Sequence, residues 1–512
     1  MKHSCNTFTQ GDEKGIAGQA RNDSSLRMKQ NQLKKGSMLL FTLVVLFFSS
    51  CVEGYKDEIT WTSNVKNVTL ESPEADKITI KFSADGSEQT IEWPLVPGAG
   101  GYLLSVYNMD DPNTPLPIGE ENQIVDGISV KRQATEDTRY KVVIKALGNP
   151  KNNNKEAESA TEKLYDNMLA VTAIIPNGTN LSNYFASNPI PASNTELCYE
   201  LVAGGNYTMN GNIPIGLTSV TFRGDKTDHS KLVITDGSFV NDGAGFKLKF
   251  IDMDYANFTG TATNAVIYMN PTLNPEAPLS EGGFVVVPTT SPVAIQSCKI
   301  TGLKYYLFYD NGKKYAIGTF LIKDCIIGRS VNQNAAEIRF GAGMVKDMTL
   351  TTSTFYSEQA DGSNRFCQIS AGHVGNVKPA TETWANGSLT ITNSTFYQVD
   401  KTSQSFNSNG AMRQAGDRIT IQNSIFVNSF NQEAIRRFRS SNTVPVFTGG
   451  YNSYWFDGAF PTNEVTHAQG DNSGTHFEID PQLTYLGNGE FKLSGAAQVA
   501  ALTGDPRWLP AK

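Results

Sequence analysis

A chain of 512 residues is too long for one compact core and calls for two or three domains. Charged residues make up 18% and aromatics 10%, with 45 glycines, a turn-rich globular composition that excludes a disordered tail or a long coiled coil. The net charge of -7 excludes a general nucleic-acid binder, which carries a large basic excess.

The segment Met38–Phe48 is almost entirely apolar and follows Lys29, Lys34 and Lys35. It is far shorter than the ~20 residues a membrane-spanning helix needs. A basic stretch, a short apolar stretch and small residues make a secretory signal. Here the small residues are Ser49 and Ser50, and they run into Cys51. That ending resembles the lipobox of bacterial lipoproteins, in which the cysteine is acylated and becomes the new N-terminus, although Phe48 stands where Leu is usual. The resemblance implies a signal region over residues 1–51, lipidation of Cys51 and an outer-membrane address. The acidic tether Val52–Glu58 resembles the surface-export signal of lipoproteins made by Gram-negative glycan degraders. An ordinary cleaved signal and a plain acidic tether are the alternatives. Four further cysteines remain beyond the anchor, Cys198, Cys298, Cys325 and Cys367, and neither C-x-x-C nor H-E-x-x-H occurs, so no metal site is expected.

Residues 59–150 alternate apolar and polar in short runs broken by turns: Ile78–Phe82, Thr90–Trp93, Tyr102–Tyr107 and Tyr140–Ala146. This period of two predicts an all-β sandwich. Trp93, Tyr102 and the Thr138-Arg139-Tyr140 run resemble a fibronectin type III domain, which implies a core Trp and a late Tyr closing a corner hydrogen bond. Residues 151–176 read as a polar linker.

The remainder, 177–512, repeats. Val293–Ile300, Phe320–Ile327, Met348–Phe355, Leu389–Phe396 and Ile419–Phe426 share one pattern, apolar-x-apolar-x-polar-small-x-apolar. The small residues Cys298, Cys325, Ser353, Ser394 and Ser424 recur at intervals of 27, 28, 41 and 30 residues. Such periods signal a solenoid. No leucine framework is present, and the repeats are too short for four-stranded propeller blades. A strand, a polar turn, a second strand and a variable loop make one coil of a parallel β-helix, with like residues stacked ~4.8 Å apart. The small residues then fill the tight bend, and Asp324, Thr352, Asn393 and Asn423 form a polar turn ladder. Residues 177 to about 210 are expected to cap the first coil, with Asn180–Tyr184 a short helix.

The closing stretch from Asp480 to Trp508 resembles the end of pectate-lyase-like β-helix proteins. Taken together, the chain resembles surface lipoproteins of glycan-utilisation loci. The implied fold class is all-β: a fibronectin type III-like sandwich followed by a right-handed parallel β-helix. In such solenoids the sugar chain lies along the outside of one parallel sheet, between the longer loops. The strand preceding each repeat supplies that sheet. With Ile338, Phe340, Cys367 and Ile369 inward, Arg339 and Gln368 point outward on neighbouring coils; Arg413 is expected next, then Arg436 or Arg437. Arg binds carboxylates bidentately, so this column suits a uronate-containing polymer. Trp455 is either a sugar-stacking surface or core of the last coil. The leading expectation is a cell-surface protein that binds an acidic, pectin-like polysaccharide alongside other glycan-uptake proteins, without a cofactor. A polysaccharide lyase acting by β-elimination, for which calcium would be the cofactor, and a non-glycan adhesin are the other two readings. The catalytic residues of a lyase are not evident, because no clustered carboxylates resemble a calcium site.

Overall fold

The computed structural model describes residues 65–510 apart from 84–85, 262–263, 331–335, 360–364, 371, 402–405, 409–411 and 440–444, with backbone alone at 406–408. Met38–Phe48, expected as a signal, Cys51, expected as the lipid anchor, and Val52–Glu58, expected as a tether, lie outside the described residues. Among those residues no helix is long and apolar enough to cross a membrane. The chain divides into two compact units, the first running to Met109 and adding Leu116–Glu136 and Tyr140–Tyr165, the second made mainly of Asp166–Lys512.

In the first unit the alternating segments pair antiparallel. One sheet joins Thr79–Phe82, Glu88–Glu92 and Ser129–Gln133; the other is built on Tyr102–Asn108 and Arg139–Ala146. Every second side chain of Arg139–Ala146 is buried, which is what a half-covered strand requires. Trp93 meets Tyr102 edge-on at 5.4 Å within this core. The Tyr140 hydroxyl donates to the Thr135 carbonyl at 2.8 Å and accepts the Thr135 N–H at 2.7 Å, tying the corner before its strand. The stretch 151–176 is not a linker: Thr161–Asp166 extends the second sheet beside Arg139–Ala146, and Ala173–Ile175 already pairs with Leu197–Leu201. Its alternation is weak because Thr161–Asp166 lies at a sheet edge with half its residues exposed.

The second unit is a parallel β-solenoid of three sheets. The first runs from Ala173–Ile175 to Val446–Gly450, the second from Asn206–Asn210 to Ser453–Trp455, and the third from Ile213–Gly216 to Phe406–Ser408. Like stacks on like: Ile295, Ile322, Leu350, Ile391 and Ile421 are successive partners in the first sheet. In the second sheet Phe355, Phe396, Phe426 and Tyr454 are successive partners, with ring centroids 5.1, 5.1 and 5.5 Å apart. All of them are buried.

The turn from the first sheet to the second is tight because one residue in each coil adopts the left-handed backbone. Asp324, Thr352, Asn393 and Asn423 have φ of 56°, 48°, 48° and 49°. Asn and Asp tolerate this region better than other L-residues. The ladder through these turns is built differently from the sequence expectation. The small residues, more than the left-handed side chains, carry it: each serine hydroxyl donates to a carbonyl of its own turn and accepts an amide from the coil before. Ser353 donates to Thr351 at 2.7 Å and accepts from Cys325, Ser394 donates to Thr392 and accepts from Ser353, and Ser424 donates to Gln422 and accepts from Ser394. Cys298 and Cys325 fill the same column as buried free thiols.

The helix Leu181–Ser187 begins with the Asn180 side chain accepting the Asn183 N–H, and it buries Leu181 and Phe185 over the first coil. The cap ends sooner than expected, since Leu197–Leu201 and Asn206–Asn210 are already coil strands paired with the next turn. At the other end the hairpin Leu483–Gly487/Glu490–Leu493 and Trp508 lie on Ile326, Tyr356, Ile425 and Val427 of the second sheet. Arg507 fastens this segment by donating to the carbonyls of Asp324 and Cys325, and the Asp505 carboxylate accepts the Thr354 hydroxyl at 2.7 Å. The outer face of the second sheet is therefore covered over its later coils, from Ile326 on.

Candidate functional site on the third sheet

The third sheet differs from the other two in its surroundings. From Val293–Gln296 onward a two-residue turn leads from the first sheet to the second. Longer connections enter the third sheet, 329–338, 357–367 and 397–406, and leave it, 369–388 and 408–418. Loops positioned by a rigid scaffold are where binding residues concentrate.

Strand register sets one row of positions along this face. Val240 pairs with Tyr268, Tyr268 with Tyr309, Tyr309 with Arg339, Arg339 with Gln368, and Gln368 with Asn407. Flanking residues Ile267, Phe308, Ile338, Phe340, Cys367 and Ile369 are buried in the core, so alternation turns the row outward. Tyr268, Tyr309, Arg339 and Gln368 are half-buried.

Arg339 is held in place by aromatic neighbours. Its guanidinium lies 5.2 Å from the Tyr309 ring centroid and 5.9 Å from that of Tyr306, and Nη1 donates to the Tyr306 hydroxyl at 2.9 Å. The Tyr306 and Tyr309 rings stack at 4.5 Å, and Tyr268 meets Tyr309 at 5.9 Å. Among the described residues no carboxylate pairs with Arg339. A guanidinium oriented by rings, with no carboxylate partner among the described residues, has the geometry to take a carboxylate from outside.

The other expected members of the column are elsewhere. Arg413 lies beyond Phe406–Ser408, in the connection to Arg418–Gln422, so Asn407 and not Arg413 follows Gln368. Arg436 and Arg437 are on the helix Ala434–Phe438, not on a strand, and both pair with Glu433 one turn away. Helix spacing of three and four residues brings those partners together, which a strand alignment cannot foresee. Trp455 ends a strand of the second sheet and packs with the covering C-terminal segment, so its ring is away from Arg339. The residues missed were Tyr268, Tyr306 and Tyr309. The strand Tyr306–Tyr309 stands one coil before Arg339, but with three buried residues followed by a half-buried one it shows no alternation that would have marked them.

Behind the entrance to this face lies a buried charged group. Glu337 and Arg329 are both almost fully buried, and Asp400 joins them from a later coil. Burial pushes the Glu337 carboxyl up to about 7, with Arg329 opposing. Burial likewise pushes Asp400 up to about 8, against the pull of Arg437, Arg365 and Arg329. Glu464, which accepts the Ala434 and Ile435 amides at the start of their helix, is raised by burial to about 8. Acids raised on folding bind protons more tightly in the native state. Their stabilisation is complete below the unfolded values near 4 and is lost as pH climbs through about 7 to 8. The solenoid is therefore expected to resist urea better at pH 5 than at pH 8.5, and Glu337→Gln to reduce that difference; midpoints measured across this range check it.

Three consecutive family models match the chain, DUF4992 over residues 26–204, DUF4957 over 205–358 and DUF5123 over 389–508, each described as a domain of unknown function. No curated protein matches. Among solved structures the chain matches "Structure of PL6 family alginate lyase AlyGC" at 12% identity and a TM-score of 0.28, over 57% of this chain and 40% of that one. The chain thus aligns with less than half of that lyase's length, and the parallel solenoid assignment rests on strand register alone.

Proposed function

We propose that this protein is a cell-surface, lipid-anchored glycan-binding protein whose third solenoid sheet takes an acidic, pectin-like polysaccharide. The observation that carries the reading is Arg339, oriented by Tyr306 and Tyr309 on the third sheet and with no carboxylate partner among the described residues. Its guanidinium presents a planar fork to a uronate carboxylate, and the half-buried Tyr268 and Tyr309 of the same row offer aromatic surface to pyranose C–H groups. In this reading Cys51 carries the lipid in the outer membrane, and the sandwich, fibronectin type III-like in its Trp93 and Tyr140 positions, stands in sequence between that anchor and a right-handed, pectate-lyase-like solenoid. Uptake proteins for the same glycan are its natural neighbours.

Affinity electrophoresis of the chain without its lipid through gels holding uronate-containing or neutral polysaccharides tests the reading. Retardation by a uronate-containing polymer, weakening as salt rises, is the expected result. No retardation by any such polymer sinks it. Appearance of an ultraviolet-absorbing unsaturated product would convert the binding protein into a lyase.

A further inference from the structure

The buried acids beside the third sheet carry the reading one step further, to how the site responds to pH, and this step rests on Arg339 being the receptor for the carboxylate. Glu337 immediately precedes the strand Ile338–Phe340, and its backbone already belongs to the ladder. Its N–H donates to the Arg365 carbonyl at 2.8 Å, and its carbonyl accepts the Leu307 N–H at 2.7 Å. Two residues of extended chain therefore separate it from Arg339, about 7 Å along a strand held on both sides. Glu337 is 2% exposed, and its Oε1 has no hydrogen-bond donor among the described residues. A buried carboxylate short of donors is costly when ionised and far less so when neutral.

The groups around it connect it to the candidate site. Arg329, at the end of the second-sheet strand Ile326–Arg329, is within electrostatic reach of Glu337, Asp400 and Tyr306. Asp400, in the connection that follows Thr395–Tyr397, meets the Phe366 amide and lies under the pull of Arg437, Arg365 and Arg329. Arg437 is in turn held by Glu433. Cys367, one coil beyond Glu337, does not join the titration, because burial pushes its thiol up and keeps it neutral. Tyr306 completes the path, since its hydroxyl accepts Nη1 of Arg339. Ionising Glu337 and Asp400 thus adds two negative charges to the corner from which the strand of Arg339 emerges.

We propose that glycan binding on the third sheet is proton-linked: the site holds an acidic polymer while Glu337 and Asp400 are neutral and loosens its hold as they ionise. An anion at Arg339 favours the neutral acids, so affinity falls as pH climbs through about 7 to 8, and binding takes up protons in that window. Uronate carboxylates and guanidiniums keep their charges across it. Calorimetric titration with the uronate-containing polymer that binds best, at pH 6 and pH 9 and one ionic strength, tests this, with circular dichroism showing the chain folded at both. Affinity is expected to be roughly three- to tenfold weaker at pH 9, the effect of two buried charges within about one screening length. Glu337→Gln and Asp400→Asn, each compared with itself at the two pH values, should shrink that ratio. Wild type at pH 7.5, titrated in buffers of different ionisation enthalpy, should show net proton uptake on binding. Equal affinity at the two pH values, a ratio that neither variant shrinks, or net proton release would overturn the inference and leave the third-sheet reading standing. Failure of every uronate-containing polymer at both pH values would overturn the third-sheet reading and the inference with it.

Discussion

Replacing Phe396 with Ala is expected to destabilise the solenoid by about 3–5 kcal/mol, the range for removing a buried aromatic ring. The ring is fully buried. It stacks on Phe355 below and Phe426 above, and it meets Phe366 edge-on at 5.3 Å and Phe430 at 5.4 Å. The site cannot collapse to fill the gap, because Thr395, Phe396 and Tyr397 are held in register by strands on both sides. The cavity term therefore remains in full. Because Phe396 lies on the second sheet, the third-sheet face stays chemically intact, and glycan affinity of the folded variant should match wild type. Urea unfolding followed by a signal from the solenoid measures the loss. A change below about 1 kcal/mol would mean that the aromatic column does not hold the coils together.

Much of this fold could be read in the sequence because a solenoid writes its core as a repeat. Phe355 and Phe396 are the last apolar positions of the shared repeat, which marks them for the interior, and the Ser353, Ser394 and Ser424 column marks the tight turn. Asn180 announced the capping helix, since Asn is a strong N-cap. What failed did so where the period breaks. The third-sheet strand of that coil is Phe406–Ser408, so the row position after Gln368 belongs to Asn407, and Arg413 falls in the connection that follows it. Ala434–Phe438 replaces a strand with a helical turn, and its two arginines are satisfied locally by Glu433. The site was half legible: Arg339 and Gln368 emerged from two aligned strands, whereas Tyr306, Tyr309 and Tyr268 lie in coils whose repeats diverge from the pattern. The charged group of Arg329, Glu337 and Asp400 was not legible at all, because it joins residues from different coils at a corner that no periodicity describes.

The central claim is that Arg339 receives a carboxylate on the third sheet, and its removal tests that claim most directly. A hydrogen bond to a charged group contributes about 1.5–3 kcal/mol. Arg339 is half-exposed, so solvent screening places the loss toward the lower end. At about 1.4 kcal/mol per decade, Arg339→Ala should weaken binding of a uronate-containing polymer roughly tenfold. Arg339→Lys should recover only part of the loss, since an ammonium keeps the charge but lacks the planar fork. Stability should fall by less than about 1 kcal/mol, the worth of an exposed cation–π contact. Calorimetric titration of wild type and Arg339→Ala against the acidic polymer that binds best decides it: a tenfold weaker Kd with the thermal transition nearly unmoved is the result predicted, and an unchanged Kd would contradict the account.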